Sequence, residues 1–129
     1  MRIKNEDILD IDGTRATVSL AASANLKPLW IGQSALAAIQ LIYTGTPAGN
    51  FKLQGSCDPG QPNAQSEAQQ YAGVSNWTDV TSTTTISAAG STMYNIADPG
   101  YYWVRVVWTA TGAGSTPVLT QARCVTKGI

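Results

Sequence analysis

Between the turn Asp98-Pro99-Gly100 and the glycine-rich stretch Ala110–Ser115, the sequence runs YYWVRVVWT with no strand-breaking residue. Aromatic and β-branched side chains suit a pleated, half-buried surface. Successive side chains of a strand point to opposite faces. Tyr102, Val104, Val106 and Trp108 therefore share one face, and Tyr101, Trp103, Arg105, Val107 and Thr109 the other. Large apolar groups on both faces predict a central strand covered on both sides. The even face carries no charge and is the expected core face. Arg105, on the odd face, is expected to pair with Asp79 or Asp98, or to stack on Trp103 or a cross-strand aromatic. Its other candidate role is contact with a partner.

The rest of the chain follows the same rule. Arg15–Ala21 alternates with Ala16, Val18 and Leu20 on one face, and Lys27–Gly32 is a short extended piece shaped by Pro28. Ser34–Thr44 begins with the helix formers Leu36, Ala37 and Ala38 and continues as a strand. Its second half, Ile39–Thr44, is expected to form a hairpin with Phe51–Ser56 across the turn GTPAGN. Asn76–Val80, Thr83–Ser87, Ser91–Ile96 and Pro117–Val125 complete a set of about eight strands, which predicts an all-β antiparallel sandwich or jelly roll. Trp30, Trp77, Tyr43 and Tyr94 each lie in a strand pattern and are expected in the core. Residues 1–14 read as an N-terminal arm before a single domain, 15–129; Ile8 and Leu9 are its candidate subunit contacts. Residues 57–75 read as a long polar loop, with one or two helical turns capped by Ser66 and with Tyr71 as its plainly loop-borne aromatic.

Composition narrows the function. Only 12% of the residues are charged, about half the usual share, and the formal net charge is zero. No basic stripe points to nucleic acid, and no apolar run reaches the roughly 20 residues that span a bilayer. The first twelve residues hold four acids (Glu6, Asp7, Asp10, Asp12) and no apolar core of a signal peptide, so the expected site of synthesis and assembly is a cytoplasm. Histidine is absent, which removes the commonest general base and metal ligand. Asp58 and Asp98 are explained as turn formers. Cys57 and Cys124 are expected as free thiols. The chain is accordingly expected to have no enzymatic activity, no cofactor and no metal.

The stretches YTGTPAGNFKLQGSCD, NWTDV and STMYNIADPGYYWVRVVWTATGAGS together resemble small virion structural proteins of tailed bacteriophages. The matching positions are Thr44–Gly49, Leu53–Asp58, Trp77–Val80 and Asp98–Thr109, within roughly residues 36–125. The insertion 57–75 is longer than that pattern, and Cys57 stands where it has a polar residue. The resemblance implies a β-sandwich decoration or cement protein of the virion head. Such a protein binds the major capsid protein or its neighbours as a dimer or trimer, without nucleic acid or membrane. It implies assembly in the host bacterial cytoplasm. The candidate partner or subunit contacts are Arg105, Trp103, Tyr71, Ile8 and Leu9. The competing expectations are a tail or fibre component and a carbohydrate-binding β-sandwich module, which needs exposed aromatics in a line or cleft.

Overall fold

The computed structural model describes residues 3–8, 17–97, 99–112 and 114–128. In chain order the elements are β1 (Ile3–Asp7), β2 (Val18–Ser19), β3 (Ala24–Asn25), β4 (Leu29–Trp30), β5 (Ser34–Thr44), β6 (Gly49–Ser56), α1 (Glu67–Tyr71), β7 (Thr78–Asp79), β8 (Thr84–Ile86), β9 (Gly90–Ala97), β10 (Trp103–Ala110) and β11 (Val118–Gly128). They form two antiparallel sheets packed as a sandwich. One is ordered β1-β11-β5-β9, with β2 also on β11; the other is β3-β10-β6-β7, with β4 also on β10 and β8 on β6.

The parity of the long strand holds from Val104 onward; Tyr102, expected on the core face, precedes the strand and is exposed. Val104, Val106 and Trp108 point into the core, and β10 is central, paired with β6 along its whole length. Opposite them stand Ala37, Ile39, Leu41 and Tyr43 of β5 and Leu119, Ala122 and Cys124 of β11. Each large side chain buried in this way contributes about 1.5–3 kcal/mol of transfer free energy. The rings of Phe51 and Trp108 lie 4.6 Å apart, and Tyr43 meets Phe51 at 5.8 Å from the opposite sheet. The Trp108 indole N–H donates to the Leu20 carbonyl at 3.0 Å, so even this buried polar atom is satisfied. A register shift between Leu119 and Gln121 sets Leu119 and Ala122 both inward, and Thr120 Oγ1 donates to the Ile42 carbonyl beside it.

Four expectations change. Ser34–Thr44 has no helical start; it is one eleven-residue strand. β5 is paired on both sides, by β11 and β9, and the period-two set Ala37–Tyr43 outweighs local helix preference. Ile39–Thr44 and Phe51–Ser56 do not form a hairpin either. β5 and β6 belong to different sheets, and the GTPAG connection crosses the sandwich so that Tyr43 and Phe51 face each other. The expected arm is in part a strand of the domain, because Ile3–Asp7 pairs with Arg123–Lys127. Arg15–Ala21 contributes only Val18–Ser19 to the described strands. Leu9 lies outside the described residues. Cys57 is exposed and Cys124 buried, both as free thiols.

The insertion folds down onto the outer face of the β10 sheet. Ser66 caps α1, its Oγ accepting from the Gln69 N–H at 3.3 Å. The Asp58 carboxylate closes the loop, accepting from the Ser75 N–H at 2.8 Å and the Asn76 N–H at 2.9 Å. Beneath lies Trp103, its indole N–H donating to the Pro59 carbonyl and its ring meeting Tyr71 edge-on at 6.3 Å. Gly60 makes this approach possible: its φ is +57°, and a Cβ there would stand 2.8 Å from the Trp103 ring.

Candidate functional site

Three surfaces are left once the core is built. The first is the outer face of the β1-β11-β5-β9 sheet. The register sets Ile3, Lys127, Leu36 and Ala97 in one row, Asn5, Val125, Ala38 and Asn95 in the next, and Asp7, Arg123, Gln40 and Met93 in a third. No described element packs across this face. Ile3, Met93 and Leu36 stand 61%, 51% and 44% exposed. The edge of the sheet at β9 pairs with no described strand beyond β5, and its sequence, GSTMYNIA, carries neither charge nor proline.

The second surface is the row around Arg105, on the outer face of the other sheet. Arg105 makes no direct pair with Asp79, and Asp98 lies outside the described residues. The guanidinium Nε and Nη2 both donate to Gln54 Oε1, at 2.9 and 2.7 Å. Gln54 Nε2 in turn donates to Asp79 Oδ1 at 2.9 Å, and Lys52 Nζ donates to Asp79 Oδ2 at 3.2 Å. Trp77 is half-exposed rather than in the core, and its ring centroid lies 4.4 Å from the Arg105 guanidinium carbon. The expected cross-strand stack is therefore made by Trp77. Hydrogen bonds from Gln54 and Lys52 hold the Asp79 carboxyl below its usual range, and burial lowers the Arg105 pKa. The charges in this row are matched by neighbours, so it offers no general acid, base or nucleophile poised for chemistry. Trp103 and Ile8 are buried, and Tyr71 is half-buried against Trp103. Of the candidate contacts among the described residues, Arg105 and Tyr71 retain surface.

The third surface is a cleft at the end of the sandwich where β4, the start of β5, β1, the end of β11 and the insertion meet. It has an open part of about 820 Å³, lined by residues that include Lys4, Trp30, Gln33, Ser34 and Asn63. A smaller, narrower recess of about 180 Å³ shares Lys4, Trp30 and Pro62 with it and adds Glu6, Lys27, Glu67 and Trp103. Trp30 stacks on Tyr102 at 5.3 Å and meets Trp103 edge-on at 5.3 Å, so it belongs to a rim rather than to the core. Gly32 lies against its ring, where a Cβ would come within 2.4 Å.

Lys27 organises the recess. Its side chain is 8% exposed, and its Nζ holds Glu6 Oε1 at 2.9 Å and Glu67 Oε1 at 2.8 Å. Burial alone pushes the Lys27 pKa down, but the hydrogen bonds to Glu67 and Glu6 and the charges of both outweigh it, so the pKa is raised. Glu67 Oε2 is buried without a hydrogen-bond partner, and Glu6 Oε2, also buried, has only an ion pair with Lys4 at 3.4 Å. The sequence carries a signal for this cluster: Lys27 interrupts the apolar run LKPLWI, and a cation there needs buried partners. Its partners lie in β1 and in the insertion, which no local pattern connects. Among the described residues no group of three or more acidic, cysteine or histidine side chains is placed to hold a metal ion.

No family model matches the chain, and no curated protein matches it. Solved structures do. Chitosan-binding module 1 from a chitosanase/glucanase of Paenibacillus sp. IK-5 is 18% identical, over 95% of this chain and 92% of that one, with a TM-score of 0.55. The SPBc2 prophage-derived protein YomS is 8% identical over 98% and 95%, with a TM-score of 0.44. A protein of the Bacillus endospore appendages, described as disulfide-linked pili, is 12% identical over 98% and 88%, with a TM-score of 0.46. What the likeness to the Paenibacillus module shows is a shared β-sandwich fold.

Proposed function

We propose that this chain is a non-enzymatic structural protein of a tailed-bacteriophage virion, a head decoration or cement protein that binds the capsid lattice as an oligomer. The observation that carries the proposal is the outer face of the β1-β11-β5-β9 sheet, which no described element covers. It is broad, and exposed Ile3, Leu36 and Met93 stand on it among Lys127, Asp7 and Arg123. Large apolar side chains left exposed together on one sheet face mark contact with other proteins. The resemblance of Thr44–Gly49, Leu53–Asp58, Trp77–Val80 and Asp98–Thr109 to virion proteins supplies the kind of partner. A chain this small holds a lattice best through several linked contacts, because each added contact is made at high effective concentration. Its expected partners are the major capsid protein and further copies of itself, and its place of assembly is the host bacterial cytoplasm.

The test is binding of the purified protein to expanded capsids that lack it, followed by co-sedimentation. Wild type should pellet with the capsids and raise their melting temperature. Leu36→Glu combined with Met93→Glu should leave the protein's own melt unchanged and abolish pelleting. Absence of the protein from purified phage particles would sink the proposal, and immunogold labelling confined to tails would replace the head with the tail or fibre alternative.

A further inference from the structure

The cleft around Trp30 has the composition of a ligand site rather than of a lattice contact. We propose that it binds a neutral polyhydroxylated ligand, a short run of linked sugar rings, with one ring in the 180 Å³ recess and its neighbours along the open 820 Å³ part. This goes beyond the lattice proposal and does not depend on it.

The size of the open part lies within the range of small-molecule sites. The Trp30 indole is common to both parts and supplies an apolar wall for the C–H face of a sugar ring. The charges on the walls exclude other ligand classes. Lys4 and Lys27 are matched by Glu6 and Glu67, so neither an anion nor a cation finds an unanswered charge. The remaining polar groups of the open part include the uncharged Gln33, Ser34 and Asn63 side chains, which donate to and accept from hydroxyls.

The charged wall of the recess is built before a ligand arrives. Lys27 fixes one oxygen each of Glu6 and Glu67, and the Oε2 of each is buried out of a ligand's reach. The site is thus preorganised, and little ordering remains to oppose binding.

The experiment uses the full chain and a panel of neutral hexasaccharides (cello-, malto-, xylo- and N-acetylchito-oligosaccharides). The controls are a cationic glucosamine hexamer and a sulfated oligosaccharide. Binding is read by calorimetry and by the Trp30 indole N–H signal in NMR. At least one neutral hexasaccharide should bind saturably and move that signal. Gln33→Ala with Asn63→Ala, both at exposed positions that leave the fold intact, should weaken binding by about tenfold. Trp30→Ala should abolish it. No saturable binding by any neutral member, binding by a charged control alone, or undiminished affinity in the Gln33/Asn63 double variant would each overturn the proposal.

Discussion

At the scale of single residues, Lys27 shows how one side chain can tie remote parts of a fold together. It joins β1 through Glu6 and the insertion through Glu67 while its own stem is buried. Removing one partner of a buried pair leaves charge uncompensated, which costs several kcal/mol in full burial. Glu6 and Glu67 retain some solvent, so Lys27→Met should cost less, about 1–3 kcal/mol, in a denaturant titration. The pH dependence has a definite sign. Because the folded pKa is raised above the ordinary 10.5, the Lys27 contribution is complete below that value and is lost as pH rises through the higher one. Burial also raises the pKa of Tyr94 and Tyr101, which lowers stability in the same alkaline range. The Lys27 part is therefore the difference between two melting curves. The gap between wild type and Lys27→Met should narrow above pH 10.5, and a gap that is flat with pH would contradict the assignment.

At the scale of elements, the insertion 57–75 is a built cover rather than a slack loop. Its ends are clasped by Asp58, and its middle is pinned over Trp103 and onto Lys27. Hydrogen bonds from the Asn76 side chain and from the Ser75 and Asn76 backbone hold the Asp58 carboxyl down at about 2. A depressed carboxylate contributes above its ordinary value of 3.8 and loses that contribution as pH falls through about 2. The Ser75 and Asn76 amide shifts in NMR should titrate with that low midpoint, and Asp58→Asn should remove the titration and speed exchange at both amides. A midpoint near 3.8 would mean that the clasp is open in solution. The sequence shows the parts of this cover, since Ser66 reads as a cap and the two DPG triplets read as turns. It does not show where the cover lies. Trp103 belongs by parity to the outer face of β10, and the insertion together with Trp30 buries it there.

At the scale of the whole molecule, the strands were legible and their partners were not. Period-two alternation assigns Leu41, Tyr43, Phe51 and Leu53 to inward faces, and all four are buried. Alternation is the same for a hairpin and for a crossing between sheets, so it could not say that β5 and β6 lie on opposite sides of the core. The virion-like stretches did not announce the cleft, because its lining comes from segments that are distant in sequence. Phe51 sits where the two sheets meet, between Tyr43 and Trp108. Phe51→Ala should therefore lower stability by about 3–5 kcal/mol, read as a lower urea midpoint with an unchanged slope. A loss below about 1 kcal/mol would mean that the core closes over the gap.

The order of strands in the sheets also sets a timetable. β11 joins β1 and β2 to β5, and β10 joins β3 and β4 to β6, yet these two are the last strands of the domain to leave the ribosome. Neither sheet can close before β10 and β11 have emerged. Until then β5 has only β9, and β6 only β7 and β8, of their partners, and each keeps one long edge open for several seconds at ordinary rates of synthesis. The domain closes only with β10 and β11, and a truncation that removes both should leave no smaller folded unit behind.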